Sequence, residues 1–393
     1  MGTKAILKAI SAMDRKVSTV AIGGINASNV QRVMYQSKST FKGLDGIAVV
    51  SAIIAAEDPK QAAADLRRLI GNPPAFAKGI VGSRANLETL LKEVPEIVRD
   101  VGVRTPLCHN MTNLVVQNFA ANVALAIGAS PIMANYGEEA KDLAALGGAL
   151  VVNMGTVTPE GIANFVKAIQ AYNTAGGPVL FDPVGAGATK IRREAVKSLM
   201  SSGYFDLIKG NENEITTVLG ESVIQQKGVD SAKSATTALE KARLVKKLAA
   251  RERTIILMTG STDYLSDGRR TYSINNGDSY LGRITGSGCT LGTTIAAFLA
   301  VHREDKLLAA LAGTLMFEVA SERAAKREDV KGPGTFVPAF LDELNVVAKQ
   351  ASMRNVNWMK GAKVEELDVS ERVGGGGERG AEVRVDERGS VWG

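Results

Sequence analysis

Short apolar runs alternate with longer helical stretches through most of this chain, and that alternation restricts its fold more than any other feature. GALVVNM (148–154), PVLFDP (178–183), DLIKG (206–210), TIILMTG (254–260) and TYSIN (271–275) read as strands. The stretches 117–128, 159–172, 190–201, 231–251, 288–302 and 305–325 read as helices among them. Such alternation implies an α/β fold, a largely parallel sheet covered by helices. The chain has 393 residues, too many for one ordinary core, so two domains are expected.

Two further strand–helix units precede this region. STVAIGGI (18–25) ends on a Gly pair and leads to a helical stretch from Asn29, and GIAVV (46–50) leads to SAIIAAE and PKQAAADLRRLIG. KAILKAISAM (4–13) reads as a helix without its own strand. Asn72-Pro73-Pro74 breaks the pattern and sets a boundary near residues 71–76. The divisions are 1–73, a linker with its leading helix over 74–103, a main domain over 104–350 and a tail over 351–393. NLETLLKEVPEIVRDVG (86–102) reads as a helix interrupted by Pro95. From about residue 360 the composition turns charged and Gly-rich, with GGGGERG at 374–380, and disorder is expected.

Composition closes off several classes of function. Only Cys108 and Cys289 are present, far apart, which argues against a disulfide framework or a zinc site. The start lacks a secretory pattern and no apolar run reaches spanning length, so a cytoplasmic setting without membrane insertion is expected. Net charge is +6, but LEKARLVKKLAARER (239–253) reads as a buried stripe with a solvated face, and nucleic-acid binding is not expected. A basic balance suits anionic phosphate ligands.

Four segments carry chemistry. In RITGSGCTLGTTIAAFLAV (283–301), Gly286, Ser287 and Gly288 precede an apolar helix. A Gly-rich turn opening a helix offers free amides and the positive dipole end to a transferring phosphoryl group; it also serves simply to pack a helix on a sheet. Cys289 falls in the first turn, where the dipole is expected to lower its thiol pKa and fit it to act as a base, the alternative being a small buried residue. In FDPVGAGATKIRRE (181–194), Asp182 ends a strand and Arg192 or Arg193 could face phosphates. In KGNENEI (209–215), Asn211 and Glu214 share a helix face and could hold Mg²⁺, or Asn211 could be an N-cap. The segment 106–140 combines polar groups, including His109 and Asn110, with small apolar ones and Met133, as a ligand pocket does.

CHNMTN, SPIMANYGEEA, VVNMGT, FDPVGAGATKIRR, KGNENE, MTG and TGSGC occur here in an order that resembles the hydroxyethylthiazole kinase family, over about residues 104–348. The resemblance implies a ribokinase-like three-layer α/β domain, ATP as co-substrate, Mg²⁺, and a homotrimer or larger assembly with the thiazole site between subunits. By motif it places Asn110, Met133 and Gly286 at the substrate, Arg192, Thr259 and Gly288 at ATP, Cys289 as the catalytic group, and Asn211, Glu214 and Asp182 near the metal. VAIGGINASNV and GIAVVSAIIAAEDP look like the last two units of thiamine phosphate synthase, a TIM barrel. That likeness implies a thiazole phosphate site at Gly24, Val50 and Ser51, in an incomplete barrel too short for synthase activity alone. Fungal proteins join such a synthase and kinase in one chain.

Overall fold

The computed structural model describes residues 3–39, 41–77, 85–220 and 236–369. Its amino-terminal part runs α1 (Thr3–Ser11), β1 (Val20–Ile22), α2 (Val30–Ser37), β2 (Gly46–Ala48), α3 (Ser51–Ile54) and α4 (Pro59–Gly71). Asp58 caps α4 by accepting from the Gln61 amide, and Pro59 starts it with φ already helical. β1 and β2 pair in parallel, Val20 opposite Gly46 and Ile22 opposite Ala48. Ile25, Val30 and Leu66 make the small core beneath them. Two strands cannot close on themselves, and Val20 and Ile22 stay 57% and 81% exposed.

The main part runs α5 (Leu87–Arg104), β3 (Leu107–Met111), α6 (Gln117–Ala126), β4 (Ser130–Ile132), α7 (Ala140–Ala145), β5 (Ala149–Asn153), α8 (Pro159–Ala175), β6 (Val179–Asp182), α9 (Lys190–Ser202), β7 (Leu207–Asn211) and α10 (Glu212–Leu219). It continues with α11 (Ala238–Glu252), β8 (Ile255–Thr259), β9 (Asp263–Ser266), β10 (Thr271–Ile274), α12 (Ser287–Val301), α13 (Lys306–Ala325), α14 (Pro333–Ser352) and β11 (Val364–Glu366). The described strands form one sheet in the order β11-β10-β9-β8-β7-β6-β5-β3-β4. From β4 to β8 neighbours are parallel, and β9, β10 and β11 add antiparallel pairs at one edge.

Alternate strand residues feed two cores, because successive side chains leave a strand on opposite faces. Val151, Leu180, Leu207 and Leu257 join the core under α5, α12, α13 and α14. Leu150, Phe181, Ile208 and Ile256 join the core under α8, α9 and α11. Strands buried on both faces must be apolar throughout, which is why they read as continuous runs. α13 is buried along nearly its whole length in the first core, where its Phe317 meets Phe340 of α14 edge-to-face and Phe340 stacks on Phe336. The amino-terminal part joins this body through Tyr35, whose ring meets Phe76 and Tyr204 edge-on and carries the Arg253 guanidinium 4.3 Å from its centroid.

Three expectations change. α5 passes through Pro95 without interruption: the ring forfeits one hydrogen bond, but Leu90, Val94, Ile97, Val98 and Val101 bury the helix on both sides of it. Residues 351–369, assigned by composition to the tail, are built into the body. β11 pairs with β10 through Ile274–Val364 and Tyr272–Glu366, and Trp358 and Val369 are buried. A three-residue strand reading VEE has no apolar alternation to reveal it. The helix expected over 231–251 begins at Ala238 behind the Thr237–Glu240 capping box, residues 231–235 and 370–393 lying outside the described residues. Truncation after Gly361 removes β11 and Val369, so it is expected to melt several degrees below truncation after Val369. At roughly 2–4 °C per kcal/mol for a body of this size, equal melting temperatures by circular dichroism would show that β11 adds nothing.

Candidate active site

The parallel strands bring their carboxyl ends to one edge of the sheet, where α/β folds bind ligands. Asn153 stands opposite Asp182 at the ends of β5 and β6, and Asn211 opposite Thr259 at the ends of β7 and β8. α12 points its amino end at this edge. Gly286 has φ of 88°, and a Cβ there would lie 2.7 Å from Val116 Cγ1, so both conformation and space demand glycine. Gly286, the N-cap of α12, has no side chain to cap it, which leaves the first amides of the helix for a ligand.

A chain of buried polar groups runs beneath that turn. Asn113 Nδ2 donates to Cys289 Sγ at 3.4 Å and to Asn153 Oδ1 at 3.0 Å. Asn153 Nδ2 donates to Asp182 Oδ2 at 3.0 Å, and Lys209 Nζ lies 3.3 Å from the same oxygen. Lys209 and Asp182 are almost wholly buried. A Cβ on Gly288 would sit 3.8 Å from Lys209 Nζ, which puts the ammonium directly under the turn. Glu214 accepts from the Gly185 amide at 2.7 Å and the Asn211 amide at 2.8 Å.

Burial sets the proton affinities. It pushes the Asp182 carboxyl up, with Lys209 and Asn153 opposing. It pushes Glu214 to about 7, reinforced by the charge of Asp182. Burial works against the Lys209 ammonium, but Asp182, Cys289 and Glu214 outweigh it and hold its pKa above the usual lysine value. Cys289 moves opposite to expectation: burial, then the Asp182 carboxylate, push its thiol to about 11, more than the nearby lysine offsets.

The expected site residues divide into two groups. Cys289, Gly286, Gly288, Asp182 and Glu214 come together, with Asn211 and Thr259 along the same strand ends. Asn211 is the α10 N-cap in a capping box with Glu214. Arg192 ties two loops together, its guanidinium donating to the carbonyls of Met154, Val184 and Gly155. Asn110 is fully buried, accepts from Thr293 Oγ1 at 2.7 Å and donates to the Cys108 carbonyl, so it fastens α12 to β3. Met133 lies half-buried just past β4, at the sheet edge. Gly24 takes φ of 64° after β1, and Val50 and Ser51 are exposed after β2, at the same end of that parallel pair.

Lys209, Asn113 and Asn153 escaped the sequence reading. A lysine inside the otherwise apolar DLIKG run was the available signal, since a strand buried on both faces carries a cation only with a buried partner. The donor set suits Mg²⁺, a hard ion that takes one or two carboxylates and leaves further positions to phosphate and water. Among the described residues there is no group of three or more His, Cys, Asp or Glu that could hold a metal ion.

A sequence model of the hydroxyethylthiazole kinase family matches residues 98–350. The "Probable thiamine biosynthetic bifunctional enzyme" of Schizosaccharomyces pombe is 40% identical over 376 residues, covering 93% of this chain and 71% of that protein. A solved hydroxyethylthiazole kinase from Pyrococcus horikoshii OT3 superposes with a TM-score of 0.61 at 37% identity, covering 70% of this chain and 100% of that one. The chain therefore belongs to the hydroxyethylthiazole kinase family, with one large sheet covered by helices on both faces.

With its pKa near 11, Cys289 is a thiol at neutral pH, and the reactive species is the thiolate. Alkylation at Cys289 is therefore expected to be slow at pH 7.5 and to rise about tenfold per pH unit toward that value. Cys108, pushed to about 12 and fully buried, will not compete. Fast labelling of Cys289 that levels off below pH 8, read by mass spectrometry, would contradict the raised pKa.

Proposed function

We propose that this edge of the sheet transfers the γ-phosphoryl group of ATP to the hydroxyethyl oxygen of 4-methyl-5-(2-hydroxyethyl)thiazole, a step of thiamine biosynthesis. The observation that carries the reading is the uncapped, glycine-only amino end of α12 directly above a buried Lys209–Asp182 pair. Phosphoryl transfer asks little covalent chemistry of a protein; it asks for positioning and charge stabilisation. The α12 amides and the Lys209 ammonium supply positive charge to the transferring group. Lys209 takes the phosphate-facing role first expected of Arg192, with Thr259 beside it at the end of β8. Asp182 and Glu214 would hold Mg²⁺, which would neutralise phosphate charge.

Cys289 orients the attacking hydroxyl. Its raised pKa argues against a resting thiolate base, and the hydroxyl proton leaves late as the oxygen–phosphorus bond forms and the bridge to ADP breaks. The products are ADP, the thiazole phosphate and one proton. Met133 would contact the ring. A trimer would enclose this edge; Leu114, Val115 and Tyr136, 69%, 70% and 58% exposed near it, suit such a contact. In this reading Gly24, Val50 and Ser51, at one end of the β1–β2 pair, would contribute to a thiazole phosphate site.

Purified protein with Mg-ATP is expected to form ADP and thiazole phosphate in equal amounts, and to form neither when pyrimidine or sugar alcohols replace the thiazole. Well-folded protein without thiazole-dependent ADP would overturn the reading. Cys289→Ala is expected to lower kcat at least about tenfold while leaving the melting temperature unchanged, less than the roughly 10²–10⁴ that loss of a general base costs. Unchanged kcat would remove Cys289 from the mechanism.

A further inference from the structure

The thiazole-side loop begins where the sheet is weakest. β4 has three residues, lies at the edge, pairs only with β3 and contains Pro131, which gives no amide to the ladder. Its last pair is Ile132 with His109. Beyond that pair the chain leaves the sheet at Met133, so the β3–β4 ladder does not hold the methionine.

His109 extends the ladder with its side chain. Nε2 lies 2.9 Å from the Ala134 carbonyl oxygen, one residue past Met133. A carbonyl only accepts, so Nε2 carries the proton, and burial, which lowers the ring's proton affinity, favours an unprotonated Nδ1. The ring is completely buried and rests against Tyr172, the centroids 5.7 Å apart, which restrains it. Three residues further on, the Gly137 amide donates to Asn164 Oδ1 at 3.1 Å. A Cβ on Gly137 would lie 2.8 Å from Asn164 Cα, so this second anchor is close-packed. The loop is thus pinned at Ala134 and Gly137, and the first pin alone adjoins Met133.

We propose that His109 is a positioning residue for the alcohol substrate: its Nε2–H holds the Ala134 carbonyl and thereby sets Met133 against the thiazole ring. This rests on the kinase reading. His109 lies in the core of the sheet and acts only through the loop, so it governs substrate binding and leaves the nucleotide side untouched.

The test compares His109→Leu, which removes the donor, with His109→Gln, which keeps one. Thiazole affinity is measured by calorimetry without ATP, and KM is measured separately for thiazole and ATP. His109→Leu is expected to weaken thiazole binding and raise its KM about tenfold, with the KM for ATP within twofold and His109→Gln recovering most of the loss. That size matches one lost hydrogen bond of about 1–1.5 kcal/mol, since 1.4 kcal/mol is a factor of ten. In a double-mutant cycle, Met133→Ala and His109→Leu are expected to be strongly non-additive. Wild-type protein that binds no thiazole would sink the kinase reading and this inference together. Wild-type protein that binds thiazole, with variants that bind it equally well, that shift both KM values alike, or that add fully with Met133→Ala, would overturn the inference alone.

Discussion

The buried ion pair between Lys209 and Asp182 is the interaction on which the rest of the site depends. Two charges taken from water at the centre of a sheet cost several kcal/mol each before their attraction repays any of it. Apolar residues of similar size would hold β6 and β7 together at least as well. The pair therefore argues for a use of charge, and its surroundings agree. Asn153 and Asn113 connect it to Cys289, the first turn of α12 covers it, and Glu214 stands near enough to feel the carboxylate.

The same residues link the site to the cores. α12 is buried nearly all round, so its amino end is aimed by packing against β5, β6 and α13. Gly292 lets the helix approach the pair: a Cβ there would stand 3.3 Å from Leu180 Cδ2 and 3.9 Å from Asp182 Oδ2. Asn110, bonded to Thr293, fixes the depth of the helix on β3. Catalytic geometry of this kind is held by secondary elements and not by loops, which gives the positional precision that phosphoryl transfer demands.

The parts legible in the sequence share a physical reason. Strands β5 to β8 and helices α6, α8, α9, α12 and α13 announce themselves because burial on two faces forces continuous apolar runs and one-face burial forces periodicity. β3 and β4 were silent: Cys108, His109 and Asn110 interrupt one and Pro131 the other, although β3 is the scaffold of the substrate side. Motifs marked the segments but did not show how their side chains are bonded. Arg192 and Asn110 bond to backbone carbonyls and to Thr293, whereas Asn113 bonds to Cys289 and Lys209 pairs with Asp182. The direction of the Cys289 shift was equally hidden, since a helix dipole shows in the sequence and burial beside Asp182 does not.

In the proposed reaction the phosphoryl group passes over the Asp182–Lys209 pair. The most direct measurement is transfer of labelled γ-phosphate from Mg-ATP to hydroxyethylthiazole by Asp182→Asn, which keeps size and hydrogen bonding but removes the charge, beside wild-type protein of matched circular dichroism. The expected result is transfer by the wild type and a loss of about a hundredfold or more in the variant, the scale on which one preorganised electrostatic partner acts. Transfer within a few-fold of the wild type would contradict the account and move the chemistry away from this pair.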